Sequence, residues 1–319
     1  MERFRRREMP RQKIEKVDGG ETQKELEEFL EEIDLKALKS IFEEIYRKSG
    51  LDTAKLNFPA DIPGGIRELR RSWLSSSRYM EETAGLYDNL TNRVSINLEN
   101  HREDLKDSVY TKFGFLHTLI HELTHAASDW KTGLEGIVGS GYSWGGSFRS
   151  INEAVTERLA QEIAIEYIRR TAFAGGLDAW RHVSAESVQS YGHLTAKGDP
   201  KTEMHKILLD KSFGVYSTER RILKKIIGTI SESTGVPEET VWQGFVRGYF
   251  ENDEKLADPE LRTLLEEVFH PGFVRKLRAV EGNEDSIKEL FDKQFTGTLR
   301  GHLVRGFKRW TEQSVKARK

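Results

Sequence analysis

The chain of 319 residues contains no cysteine. That absence excludes disulfide scaffolds, cysteine-type zinc fingers, iron–sulfur clusters and thiol nucleophiles. It leaves His, Asp and Glu as the strong metal ligands. An excess of charge is also missing: 50 Lys and Arg face 52 Asp and Glu, a formal net charge of −2. So balanced a chain is a poor nucleic-acid coat or polybasic membrane binder, and neither nucleic acid nor membrane is an expected partner. No apolar run approaches the ~18 residues of a membrane span. The basic stretch Met1–Lys13 has no apolar segment of signal-peptide length behind it. It reads as a solvated end, with electrostatic contact to RNA or an acidic partner as the alternative, and a cytoplasmic location is the expectation. Internal repeats and low-complexity tracts are absent too. What is present is 37% hydrophobic and 32% charged residues, a soluble chain with material for a core.

Helical and strand signals divide along the chain. After the breaker Val17-Asp18-Gly19-Gly20, Thr22-x-x-Glu25 reads as a capping box ahead of Leu26, Phe29, Leu30 and Ile33 at helical spacing. Asp34 caps a second helix carrying Leu38, Ile41, Phe42 and Ile45 and stopped by Gly50. Pro59, Pro63, Gly64 and Gly65 mark a loop. Residues 85–98 read as a β-hairpin whose second arm alternates Val94, Ile96 and Leu98. A long helix follows over about Thr111–Trp130, with Leu116, Leu119, Ile120, Leu123, Ala127 and Trp130 as its core stripe. The glycine-rich stretch Gly139–Gly146 reads as a surface loop, or as a mobile flap over a cleft. A helix over about Ile151–Arg170 comes next. Further helices are expected near Thr218–Ser231, Pro237–Phe250, Pro259–Phe269 and Ser286–Phe295, and after Gly297. The expected fold is α+β and predominantly helical. It comprises a basic flexible tail (1–21), an N-terminal lobe with hairpin, small mixed sheet and metal-binding helices (22–170), and a helical C-terminal lobe (171–319).

The chemistry concentrates in His121-Glu122-Leu123-Thr124-His125. Positions i and i+4 share a helix face, so two imidazoles can reach one metal ion while Glu122 projects toward a metal-bound water. Two helix-surface histidines flanking a surface glutamate would be the bland alternative. The apolar stripe of the same segment weighs against it. Catalytic zinc needs a third protein ligand and an open position. A third histidine shortly after the motif would require Gly at 128 and His at 131, where Ser128 and Lys131 stand. The better candidate is Glu153, in Ile151-Asn-Glu-Ala-Val-Thr-Glu157, with Glu157 one turn further on the same face. Ser150-x-x-Glu153 also fits a capping box, which would use the carboxylate locally.

His121-Glu-x-x-His125 followed by Asn152-Glu153-x-x-x-Glu157 resembles the gluzincin metallopeptidases, the thermolysin-like group in particular, over about Tyr87–Arg170. The resemblance implies a zincin-like fold, Zn²⁺ held by His121, His125 and Glu153, and Glu122 as general base. It also implies Asn152 holding His125 and an acid at the Glu157 position holding His121; the family often has Asp there. The physics agrees on the last point, since a ligating imidazole usually gives its other N–H to a carboxylate or carbonyl. Two neutral imidazoles and one carboxylate leave a Zn²⁺ site with residual positive charge, which acidifies bound water and polarises a carbonyl. The family places a His or Tyr as oxyanion donor downstream of the third ligand. Tyr216 has a similar spacing, with His193 and Tyr142 as rivals. His117, one turn before His121, reads as a neighbour of the site or a surface residue rather than a ligand. In zinc peptidases of this shape an edge strand pairs with extended substrate, and Val94–Leu98 is the candidate.

These readings imply a zinc metallopeptidase that hydrolyses peptide or protein substrates by Glu-assisted attack of zinc-bound water. Two alternatives stand beside it: a selective intracellular peptidase acting on one regulatory partner, and a non-enzymatic metal-binding interaction protein. Glu122 weighs against the last, since a structural site needs no base there.

Overall fold

The computed structural model describes residues 28, 30–56, 58, 66–68, 85–88, 93–96, 108–131, 138–142, 147–173, 216–251, 259–280 and 290–291. Within them lie seven helices and five short strands, so the protein is predominantly helical with small sheets. No helix among the described residues is long and apolar enough to cross a membrane.

Helix α1 (Leu35–Lys48) begins where the sequence places its cap. The Asp34 carboxylate accepts from the Lys36 and Ala37 N–H groups, and Arg47 and Lys48 lie in the last turn. Leu38, Ile41 and Phe42 are buried. Strands β1 (Ile66–Glu68), β2 (Gly85–Asp88) and β3 (Arg93–Ile96) form a mixed sheet in the order β1-β3-β2. The expected hairpin is there, with Gly85 opposite Ile96 and Asp88 opposite Arg93. Its second arm is not the sheet edge, however. Strand β3 runs parallel to β1 on one side and antiparallel to β2 on the other. Val94, Ser95 and Ile96 are all buried, as befits an interior strand. Among the described residues the sheet edge nearer the candidate site is therefore β2, and Leu98 lies outside them.

Helix α2 (Ser108–Ala127) packs on β2 and β3 and buries Leu116, Leu119, Ile120, Leu123 and Ala127. It stops before Trp130. Ser128 turns back, its N–H and hydroxyl both reaching the last carbonyls of the helix, including that of His125. Asp129–Lys131 then pairs as β4 with β5 (Val138–Ser140), which takes Trp130 out of the helical stripe and into a strand. The following Gly141 and Tyr142 are buried, so this part of the glycine-rich stretch is interior rather than a surface loop or flap.

Helix α3 (Arg149–Arg170) occupies the centre. It packs against α1, α2, α4 (Ser217–Thr234) and α5 (Glu238–Phe250). Contact on so many sides explains its burial nearly all round, where an ordinary surface helix would show one apolar stripe. Its N-cap is Phe148 in the left-handed region, with no side-chain cap. Ser150 sits inside the helix and donates to the Val280 carbonyl at 2.7 Å, so the alternative capping box does not form. Two further helices, α6 (Pro259–Val268) and α7 (Phe273–Arg278), complete the description. The six-residue α7 carries too short a pattern to be read from sequence. Buried apolar residues from Ile33 to Phe291 form one continuous cluster. The expected helix over residues 22–33, the Pro59–Gly65 loop, and the helices at 286–295 and after 297 lie wholly or largely outside the described residues.

Candidate metal centre

Helix α2 presents His121 and His125 on successive turns of one face, and α3 brings Glu153 across from them. Both imidazole Nε2 atoms lie 3.4 Å from Glu153 Oε2. One ligand atom from each residue falls within 4.8 Å of the others. Among the described residues Glu153 Oε2 is buried and makes no hydrogen bond of good geometry, the two imidazole nitrogens standing at ion-pair distance. A buried carboxylate oxygen short of hydrogen bonds is costly inside a protein. A divalent cation shared by these three atoms would satisfy it, and two imidazoles with one carboxylate are a donor set suited to zinc. The residues therefore fit the expected ion.

The site's electrostatics follow from burying carboxylates among imidazoles. Burial alone would raise the Glu153 carboxyl, but His125 and His121 outweigh it and hold it well below the usual carboxylate range. Glu157 is lowered in the same way by His117 and His121. Burial would lower His121; Glu153 and Glu157 instead push it up to about 10. Glu122 moves in the opposite direction from the other carboxylates. Burial raises it and Glu153 adds to the effect, while His121, His125 and a hydrogen bond from the Tyr87 backbone N–H pull the other way.

Glu157 holds His121, its Oε2 lying 3.1 Å from Nδ1. Gln161 Nε2 donates to the other oxygen at 2.9 Å, and His117 Nε2 lies 3.3 Å from it. His117 thus faces Glu157 and stands outside the three-residue cluster. Asn152 behaves differently from the resemblance. Its Oδ1 accepts the Tyr142 backbone N–H at 2.9 Å. The side chain found at His125 Nδ1 is Thr156, whose Oγ1 is 3.5 Å away. The cause is the turn after β5. Gly141 has φ +53, and a Cβ there would run into the Tyr249 ring and Asn152 Oδ1, so the backbone is pressed onto Asn152 and occupies it.

Glu122 is held from the other side by β2. A Cβ on Gly85 would stand 2.7 Å from Thr118 Cγ2 and 2.9 Å from Glu122 Cγ. Only glycine lets this strand come so close to the helix. The Tyr87 hydroxyl donates to Asp129 at 2.9 Å and ties β2 to β4.

The three oxyanion candidates separate. Tyr216 is the N-cap of α4, at φ 67 in the left-handed region that a tyrosine rarely adopts. Its ring stacks on His121 at 5.6 Å between centroids, 10° from parallel. Burial first, then the Glu153 and Glu122 charges and a hydrogen bond to Glu153, raise its phenol and keep it protonated. Tyr142 is fully buried and donates its hydroxyl to the Phe245 carbonyl at 2.7 Å, which removes it from the site. His193 lies outside the described residues. The sequence reading missed Gly85, Thr156, Gln161 and Tyr249. For Gly85 a signal existed, since a glycine in a strand marks close backbone approach. Comparison with known protein families, curated proteins and solved structures gives no match.

Proposed function

We propose that this chain is a zinc-dependent metallopeptidase of zincin-like architecture, with His121, His125 and Glu153 as metal ligands and Glu122 as general base. The observation that carries the reading is the convergence of two imidazole nitrogens on one buried carboxylate oxygen that makes no hydrogen bond of good geometry among the described residues, with Glu122 adjacent. Zinc, when bound, supplies a Lewis acid that polarises a carbonyl and acidifies water. Glu122 takes up the attacking water's proton and delivers it to the departing amine. Tyr216 keeps its phenol proton and donates a hydrogen bond to the developing oxyanion. Substrate in extended form adds to β2, the sheet edge beside Glu122. Leu86 on that strand, 38% exposed, is the one large apolar side chain exposed among the described residues.

A metal count together with Glu122→Gln tests the proposal. The purified chain is expected to hold one zinc, and the variant to keep it while peptide hydrolysis falls by about 10²–10⁴-fold. A chain that binds no zinc, or a variant as fast as wild type, ends this reading.

A further inference from the structure

The two histidines of the centre are held by unlike partners, and the second of these partners reaches outside α2 and α3. We propose that Thr156 and Tyr249 are positioning residues for His125, forming a hydroxyl relay through which α5 sets the affinity of the site for its metal. The inference rests on the proposed metal reading and deepens it.

Once His125 gives Nε2 to a metal, its remaining proton is on Nδ1 and that atom must donate. Thr156 Oγ1 faces it at 3.5 Å. The Thr156 hydroxyl proton is committed to the Asn152 carbonyl at 2.9 Å, which leaves the oxygen's lone pairs to accept. Tyr249 Oη is 2.7 Å from the same oxygen; with the threonine proton on the Asn152 carbonyl, the tyrosine is the donor of that pair, and the Thr124 carbonyl at 3.4 Å is its longer second acceptor. In this arrangement Nδ1–H runs into Oγ1, the tyrosine O–H is shared between Oγ1 at 2.7 Å and the Thr124 carbonyl at 3.4 Å, and Oγ1–H runs into the helix backbone. All of this is enclosed, since Thr124, Thr156 and Tyr249 are fully buried. The Tyr249 ring is fixed by the Gly141 turn pressed against it and by edge contact with Tyr142 at 6.1 Å. His121 is oriented by an anion and His125 by a neutral hydroxyl pair, so the two imidazoles differ in donor strength and in what holds them. Asn152 takes no part through its Oδ1, which the Tyr142 N–H occupies.

The test uses the full chain and reads the zinc dissociation constant by competition with a chromophoric chelator, with the absorption spectrum of the cobalt(II)-substituted protein as a second readout. Thr156→Val keeps the shape and removes the hydroxyl; zinc binding is expected to weaken about tenfold, with a changed cobalt spectrum. Tyr249→Phe is expected to weaken it about threefold, and Thr156→Ser, which restores the hydroxyl, to stay within about twofold of wild type. Wild-type zinc affinity in Thr156→Val, or an equal loss in Thr156→Ser, overturns the relay, even where thermal stability falls. If Thr156→Val does not fold, Tyr249→Phe decides alone, and unchanged affinity there overturns it. A wild-type chain that binds no zinc overturns the functional reading itself and the relay with it.

Discussion

The two ends of α3 carry glutamates at the same four-residue spacing in opposite surroundings. Glu153 and Glu157, toward the N-terminus, are buried against the imidazoles of α2. Glu162 and Glu166, toward the C-terminus, face permanent cations: Arg158 pairs with Glu162 at 3.1 Å, and Arg169 and Arg170 both hold Glu166. Arg170 also reaches Glu44 on α1 at 2.5 Å. Glu153, Glu157 and Glu166 share a depressed pKa, yet for different reasons. At the buried end the stabilising charge is a histidine that can lose its proton or exchange it for a metal. At the surface end it is a guanidinium that never does. The charge at the buried end is therefore carried by an exchangeable group, and at the surface end by a fixed one. That difference is what the proposed metal reading draws on to set Glu153 apart from a carboxylate that braces a helix.

Removing the charge at the buried end gives the largest expected effect. Glu157→Gln keeps an oxygen near His121 Nδ1 and loses the anion that orients and strengthens the imidazole. Zinc affinity should fall by about 10–100-fold, measured by chelator competition. Wild-type affinity would place Glu157 in the same class as the surface glutamates and break the comparison.

A smaller effect is expected where β2 presses on the site. Gly85→Ala puts a methyl group within 3 Å of Thr118 and Glu122 side-chain atoms, so strand and helix must separate. Overpacking of this kind costs about 1–3 kcal/mol, read from the midpoint of chemical denaturation. The same separation lengthens the hydrogen bond from Tyr87 to Glu122, so hydrolysis should fall along with stability. A stability loss without any change in hydrolysis would show that β2 supports the fold and not the base.

Much of this site was visible before folding because its information is local. The spacing of His121 and His125 defines one helix face without any tertiary knowledge. Asp34 caps α1 through neighbours two and three residues away. The readings that moved all depend on partners distant in sequence. Strand β3 became interior because residues 66–68 pair with its free side. Asn152 was diverted from His125 by the Tyr142 N–H, which the buried turn at Gly141 delivers. Ser150 left its capping role for the Val280 carbonyl, 130 residues away. Tyr249 comes from α5, and no spacing rule links it to Thr156. Periodicity reports which residues share a face; it does not report which competing donor arrives there.

The smallest expected effect lies at the surface end, and it sharpens the contrast by its direction. Glu166 is held down to about 2, chiefly by its hydrogen bond to Arg169, with burial opposing and Arg170 adding. A folded-state pKa below the unfolded value of about 4.5 means that the ionised pair contributes stability above that pH and loses it as pH falls toward 2. Solvent screens the pair, so the contribution is about 1 kcal/mol or less. Glu166→Gln should therefore lower the melting temperature slightly at pH 7, and the gap from wild type should close as pH is taken from about 4.5 to 2. Zinc affinity should not change, because Arg169 and Arg170 keep their charge whether or not the centre is filled. A Glu166→Gln chain with weakened zinc binding would mean that the two ends of α3 are coupled, and that the exchangeable charge at the buried end extends the length of the helix.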